Sequence, residues 1–232
     1  MITIRPSSDR GHAHRSWLNS YHTFSFADYY HPNHMGFRSL RVINEDWIAP
    51  GMGFQPHNHR NMEIVTYLLE GSLDHKDSMG NGTTMNRGDV QRMTAGTGVT
   101  HSEYNHSQLE PLHLLQIWIL PAVNELDPGY EQRYFPDSEK SNHLGVIVSP
   151  DGRDGSLRIH QDVTLYASIL DSSKTVTHLV DYHRYGWLQL IKGTVTIAGQ
   201  ILQAGDGAAI DEPGTYLIEA LERAELLLFD LA

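Results

Sequence analysis

GMGFQPHNHRNMEIVTYLLEG (residues 51–71) and GDVQRMTAGTGVTHSEYN (residues 88–105) decide how this chain folds. The first segment carries His57 and His59, the second His101 and Glu103, and each pair is spaced i, i+2. Successive side chains on a β-strand point to opposite faces, so that spacing puts both members of a pair on one face. Two such strands, folded face inward, present three imidazoles and one carboxylate to a single point. Imidazole plus carboxylate is a ligand set for divalent Fe, Mn, Ni, Cu or Zn. The spacing therefore predicts a metal site at His57, His59, His101 and Glu103. Glu63 has the same strand parity as His57 and His59, and periodicity alone does not choose between the two carboxylates.

The plainer reading is a packed strand face, since fifteen histidines in 232 residues make an accidental H-x-H plausible. Three features favour ligands. Strand-like text follows both pairs, at residues 62–69 and 112–120. Both pairs are entered through glycine-rich turns, Gly51 and Gly53 before the first, Gly96 and Gly98 before the second; there the backbone bends sharply or approaches a neighbour closely. The second pair ends on a carboxylate, which a merely packed strand does not turn inward without a partner.

Working outward, the composition excludes several classes. Hydrophobic residues make up 40% of the chain, enough for real cores, and no run approaches the ~18 apolar residues of a membrane helix. With no cysteine there is no disulfide framework, thiolate ligand or thiol nucleophile. A net charge of −11, from 17 basic and 28 acidic residues, argues against binding nucleic acid through its phosphates. MITIRPSSDRGHAHRSW carries early charges and no apolar core of signal-peptide length, which predicts a cytoplasmic protein.

Nothing in residues 1–121 reads as a helix of ordinary length. Residues 1–39 predict a loop with short strand pieces. Strands are expected at 40–48, 62–69, 72–76, 90–93, 100–104 and 112–120, with Gly80-Asn81-Gly82 as a hairpin turn. Many short strands between turn signals mean a sandwich or barrel. Residues 122–143, following Pro121 and containing Pro128 and Pro136, predict a connector between a first domain (1–121) and a second (144–232). The second half echoes the first: WLQLIKG (187–193) follows the pattern of TYLLEG (66–71), and Ala204-Gly-Asp-Gly that of Arg87-Gly-Asp. Eleven of the fifteen histidines lie at or before His113, and the second half has no H-x-H or H-x-E. One metal, in the first domain only, is the expectation.

These residues also resemble a known family. WLNSYHTFSFADYY, MGFRSLRVINEDWIAPGMGF, NMEIVTYLLEGSLDHKDSMGN, GDVQRMTAGTGVTHSEYN and SPDGRDGSLRIHQD are similar to pirin and the bacterial pirin-like proteins of the cupin superfamily, over nearly the whole chain. The resemblance implies an all-β bicupin, two tandem jelly-roll β-barrels with one metal in the N-terminal domain. It places the family's ligands on His57, His59, His101 and Glu103, leaving Glu63 a supporting or ion-pair role. Asn58 and Asn61 stand where the pirin pattern usually has Pro and Asp; by parity Asn58 points away from the metal.

The resemblance further implies quercetin 2,3-dioxygenase activity, the O2-dependent opening of the flavonol central ring with release of carbon monoxide. Fe(II) is the first choice of metal, with Ni, Mn, Cu or Zn as alternatives. Glu103 is the candidate base for the 3-hydroxyl proton of the flavonol. Met52, Phe54, Phe24, Phe26 and Trp118 are candidate walls of the pocket, with core packing as each one's alternative. The rival function is a metal-dependent binding protein without turnover, as eukaryotic pirin is a cofactor of transcription regulators; a protein partner would then replace the flavonol.

Overall fold

Short β-branched and aromatic runs between glycine turns form strands throughout the computed structural model, which describes residues 2–232. In chain order they are β1 (Ile2–Arg5), β2 (Gly11–His14), β3 (Leu18–His22), β4 (Leu40–Ile48), β5 (Gly53–His59), β6 (Glu63–Glu70), β7 (Ser72–Asp77), β8 (Gly82–Asn86), β9 (Asp89–Thr94), β10 (Val99–Asn105), β11 (Leu112–Ile119) and β12 (Gly129–Tyr134). They continue with β13 (Gly145–Ser149), β14 (Leu157–Arg158), β15 (Val163–Leu170), β16 (Thr175–Val180), β17 (Tyr185–Lys192), β18 (Thr194–Ile197), β19 (Gln200–Gln203), β20 (Gly207–Ile210), β21 (Gly214–Ala220) and β22 (Ala224–Leu231). Among the described residues no helix is long and apolar enough to cross a membrane.

The chain divides into two compact units. The first holds residues 11–134 and 157–161 and consists of two facing sheets, ordered β12-β9-β6-β11-β4-β3-β2 and β5-β10-β7-β8. Non-consecutive neighbours in both sheets give the expected jelly-roll build. Leu18, Ile48, Leu68, Leu73, Met85, Leu112 and Leu114 form one apolar cluster between the sheets. The second unit repeats the architecture, with β1-β20-β17-β22-β15-β13 in one sheet and β16-β21-β18-β19 in the other. Its interior is apolar, built on Leu188, Leu190, Leu226 and Leu228 against Val195 and Ile218. All-β, two-domain architecture is thus as expected.

The limits of the units differ from the expected division into 1–121, 122–143 and 144–232. The anticipated connector contains β12, which pairs antiparallel with β9, so the first unit runs on to Tyr134. The Tyr130 hydroxyl fastens that strand by hydrogen bonds to Gln91 at 3.2 Å and Thr83 at 2.6 Å. The segment 157–161, which that division puts in the second domain, belongs to the first: the Arg158 amide donates to Glu131, and the Ala122 amide to the His160 carbonyl. At the N-terminus, expected to lie on the first barrel, β1 instead pairs with β20 of the second unit.

The pairing of β5 with β10 fixes the site. His57 lies directly opposite His101, and the register then shifts between His101 and Glu103 so that Glu103 meets Phe54. The shift leaves one extra residue on β5, a β-bulge at Gln55-Pro56. Proline is tolerated there because β5 is the outer strand of its sheet. The bulge also lets Phe54 and His57, three residues apart, border the same cavity.

Gly53 permits the close approach at the other end of this ladder. A Cβ on it would lie 2.2 Å from the Glu103 carbonyl oxygen and 2.5 Å from Tyr104 Cα, both rigid backbone. We expect Gly53→Ala to lower stability by about 1–3 kcal/mol through overpacking. Chemical denaturation checks this, and an unchanged midpoint would show that the ladder yields without cost.

Candidate metal centre

The bulged ladder brings three imidazoles together. Ring centroids lie 4.4 Å apart for His57 and His101, 4.9 Å for His57 and His59, and 4.8 Å for His59 and His101. One ring nitrogen from each falls within 4.8 Å of the others. His57 Nδ1 donates to the Gln55 carbonyl at 2.7 Å, which leaves Nε2 as the nitrogen with a lone pair to offer. His101 is 2% exposed, and neither of its ring nitrogens has a hydrogen-bond partner. Buried polar atoms are nearly always paired. A divalent cation bound here would supply the partner this ring lacks, so the donor set fits a metal of the imidazole-loving kind.

Burial shapes the electrostatics in the same direction. Desolvation first, then the neighbouring histidines, lower the pKa of His59 to about 4 and that of His101 to about 3. Both rings are therefore neutral at physiological pH, which is the form that ligates.

Glu103 is buried against this cluster, but its carboxylate groups within 4.8 Å with His101 and His75 rather than with His57 and His59. Gln116 holds it there: its Nε2 donates to both carboxylate oxygens, at 2.9 and 2.7 Å. His75 is not available as a further ligand in this arrangement. Its Nε2 donates to Asp77 at 3.0 Å, and its Nδ1 faces the Gln91 amide at 3.4 Å. Neither Gln116 nor His75 stood out in the sequence. Gln116 shared a parity with Leu112 and Leu114 in a run that reads as plain core.

Glu63 sits elsewhere. Asn61, at φ +50°, breaks the strand between His59 and Glu63, so counting in twos from His57 no longer reports the face. The Glu63 carboxylate is fully buried and accepts from the Thr94 hydroxyl at 3.1 Å. His160 Nδ1 lies 3.5 Å away. Burial raises its pKa, against the opposing pull of Thr94 and Arg92. Asn58 faces outward as parity predicts, accepting from the Thr100 hydroxyl at 2.6 Å.

A cavity of about 210 Å³ opens beside the cluster, bordered by His57, His59, His101 and Glu103. Trp118 stands edge-on to His59, and Phe26 edge-on to Trp118, with centroids 4.8 and 5.3 Å apart. Phe54, Phe26 and Trp118 thus line the cavity as expected, whereas Phe24 is core and Met52 faces solvent. The cavity also exposes Asp46, whose pKa burial raises to about 7 with help from the charges of Glu103 and Glu45.

Opposite pH dependences follow for the metal-free protein. His59 and His101 protonate near 6.5 when unfolded but only near 4 and 3 when folded, so their stabilisation is complete above pH 6.5 and is lost as the pH falls. Asp46 ionises near 3.8 unfolded and near 7 folded, so its contribution is complete in acid and is lost as the pH rises through 7. In melting curves recorded across this range, His101→Gln should flatten the acid-side loss of Tm. Asp46→Asn should steepen it and raise Tm in mild alkali. Identical profiles for all three proteins would contradict both assignments.

Residues 4–119 match the family described as Pirin, and residues 146–231 match the one described as Quercetinase C-terminal cupin domain. The chain is 50% identical over 231 residues to a quercetin 2,3-dioxygenase of Escherichia coli, covering 100% of this chain and 99% of the relative. It is 40% identical over 235 residues to a pirin-like protein of Caulobacter vibrioides, with full coverage of both. Among solved structures, bacterial pirin YhhW of Escherichia coli in complex with nickel(II) superposes with a TM-score of 0.95 at 49% identity, covering 100% of this chain and 99% of that one. A three-histidine cluster on a bulged jelly-roll ladder, with whole-length matches of this kind, makes the chain a member of the pirin family of bicupins.

Proposed function

We propose that this protein is a metal-dependent dioxygenase that opens the central ring of a flavonol with O2 and releases carbon monoxide. One observation carries the reading: three imidazoles, one of them buried without a partner, border an aromatic-walled cavity together with a buried carboxylate. His57, His59, His101 and Glu103 are the proposed ligands of a divalent transition metal. When bound, such an ion supplies Lewis acidity toward a substrate oxygen and a redox-accessible partner for O2. Fe(II) is the first choice, with Ni, Mn, Cu and Zn as alternatives. The nickel complex of the Escherichia coli pirin supports a divalent ion, and the name of the 50%-identical relative supports a flavonol substrate.

The chain's own groups have separable tasks. Trp118 and Phe26 offer apolar ring edges that enclose a planar substrate and exclude water from it. Glu103 takes the 3-hydroxyl proton onto a carboxylate oxygen, leaving the electron-rich flavonolate that reacts with O2. Gln116 positions that carboxylate by gripping both of its oxygens.

Quercetin and O2 should be consumed together, with carbon monoxide in the headspace, and flavones lacking the 3-hydroxyl should be inert. Anaerobic mixing followed by admission of air makes the test. Oxygen-independent loss, or equal loss with metal-free protein, would favour instead a metal-dependent binding protein without turnover.

Substitutions should divide by position. His57→Ala and His101→Ala should lose metal and activity together, whereas Glu63→Gln should keep the metal. Gln116→Leu should lower turnover about 10–100-fold with metal content largely kept, as for other groups that orient a ligand. Metal analysis beside kcat separates these outcomes; metal lost from Glu63→Gln but retained by Glu103→Gln would reassign the carboxylate.

A further inference from the structure

The wall of the cavity that faces the histidine cluster is polar where a jelly roll should be apolar. β3 and β4 pair antiparallel, with Leu18 opposite Ile48, Ser20 opposite Asp46, and His22 opposite Asn44. Leu18 and Ile48 both lie in the apolar cluster between the sheets. Alternation puts the next two pairs on that same inward face, and all four of their residues are buried and border the cavity. Cross-strand hydrogen bonds join them: the Ser20 hydroxyl donates to Asp46 Oδ1, and His22 Nδ1 donates to Asn44 Oδ1 at 2.8 Å.

The set is incomplete on one side. Among the described residues, Asp46 has a single hydrogen bond, through Oδ1. Among the described residues no cation offsets it, and the charges that bear on it are those of the carboxylates Glu103 and Glu45. A buried carboxylate without a compensating partner is strongly disfavoured. Packing alone would be served better by the leucines and isoleucines that continue the same face.

The remaining wall ties this patch to the metal cluster. Rings run in contact from His22 to Phe26, to Trp118 and to His59, with centroids 5.2, 5.3 and 4.8 Å apart. The cavity is therefore an aromatic-sided slot with metal ligands on one sheet and a hydrogen-bond acceptor on the facing sheet.

We propose that Asp46, braced by Ser20 and flanked by the His22–Asn44 pair, accepts a hydrogen bond from a substrate hydroxyl separate from the oxygens that approach the metal. The wall makes the pocket selective for flat phenols carrying ring hydroxyls beyond the 3-hydroxy-ketone. Asp46 is a specificity residue in this account, which rests on the flavonol reading of the same site.

The test is equilibrium binding under anaerobic conditions, by fluorescence titration of the metal-loaded protein with quercetin and with 3-hydroxyflavone, which lacks the ring hydroxyls. Wild-type protein should favour quercetin, and Asp46→Asn should weaken quercetin about 10-fold while leaving 3-hydroxyflavone unchanged, the usual size for a hydrogen bond to a charged group. Ser20→Ala, which keeps the carboxylate but removes its brace, should shift the preference in the same direction by less, and serves if Asp46→Asn does not fold. Equal weakening of both ligands, or no change in the preference, would overturn the role of the wall. Binding with this pattern but without turnover in air would defeat the dioxygenase reading and leave the wall standing. Failure of the wild type to bind either flavonol would overturn both.

Discussion

The pairing of His57 with His101 across the β5–β10 ladder is the constraint on which the rest of the site depends. Directly opposite residues of an antiparallel pair bring their side chains to within contact, so two imidazoles meet without help from any loop. His59 joins them two residues on, from the same face. The bulge at Gln55-Pro56 then turns Phe54 into the cavity and brings it opposite Glu103, so aromatic wall and carboxylate arrive in one step. Gly53 closes the ladder where any side chain would collide with backbone.

The two units show how one architecture is used in two ways. The second fills its interior with leucine, isoleucine and valine. The first gives up part of that apolar interior to histidine, glutamate, glutamine and aspartate. Each such group is tolerated because it has a partner or because it faces the cavity: Glu103 has Gln116, Glu63 has Thr94 and His160, and His75 has Asp77. His101 keeps both ring nitrogens without a hydrogen-bond partner and borders the cavity, whereas Glu63 Oε1, also without a hydrogen bond, is not among the cavity's walls. The unpartnered ring of His101 is the group at the cavity wall that a bound cation would satisfy.

Much of this was legible in the residues. The i, i+2 spacing of His57/His59 and His101/Glu103 reports a strand face whatever the tertiary fold, and glycine at 51, 96 and 98 announced the turns. Three kinds of information were not local. A single left-handed residue, Asn61, cancelled the parity argument for Glu63. Gln116 gains its meaning only from a strand thirteen residues away in sequence, and nothing in LHLLQIWI distinguishes it from a tolerated core amide. The polar wall was visible as Leu-x-Ser-x-His beside Asn-x-Asp-x-Ile, but only the register of β3 on β4 shows that the polar pairs share the inward face. The proline-rich stretch 122–143 looked like a linker because its turn signals outnumber its strand signals, although Tyr130 anchors a strand within it.

The interleaving of the units bears on the order in which the chain is made. The first unit takes in residues 157–161, whose His160 lies beside the buried Glu63, so it is incomplete until the ribosome has released a segment that follows residues 135–156 of the second unit. Until then Glu63 is a carboxylate in a hydrophobic interior without its imidazole neighbour. Conversely β1 has its partner in β20, far along the chain, and stands unpaired until β20 is made. During synthesis it is an unpaired edge of the kind that invites association with other chains. A cut anywhere between residues 11 and 156 would separate β1 from β20, or residues 157–161 from the rest of their unit.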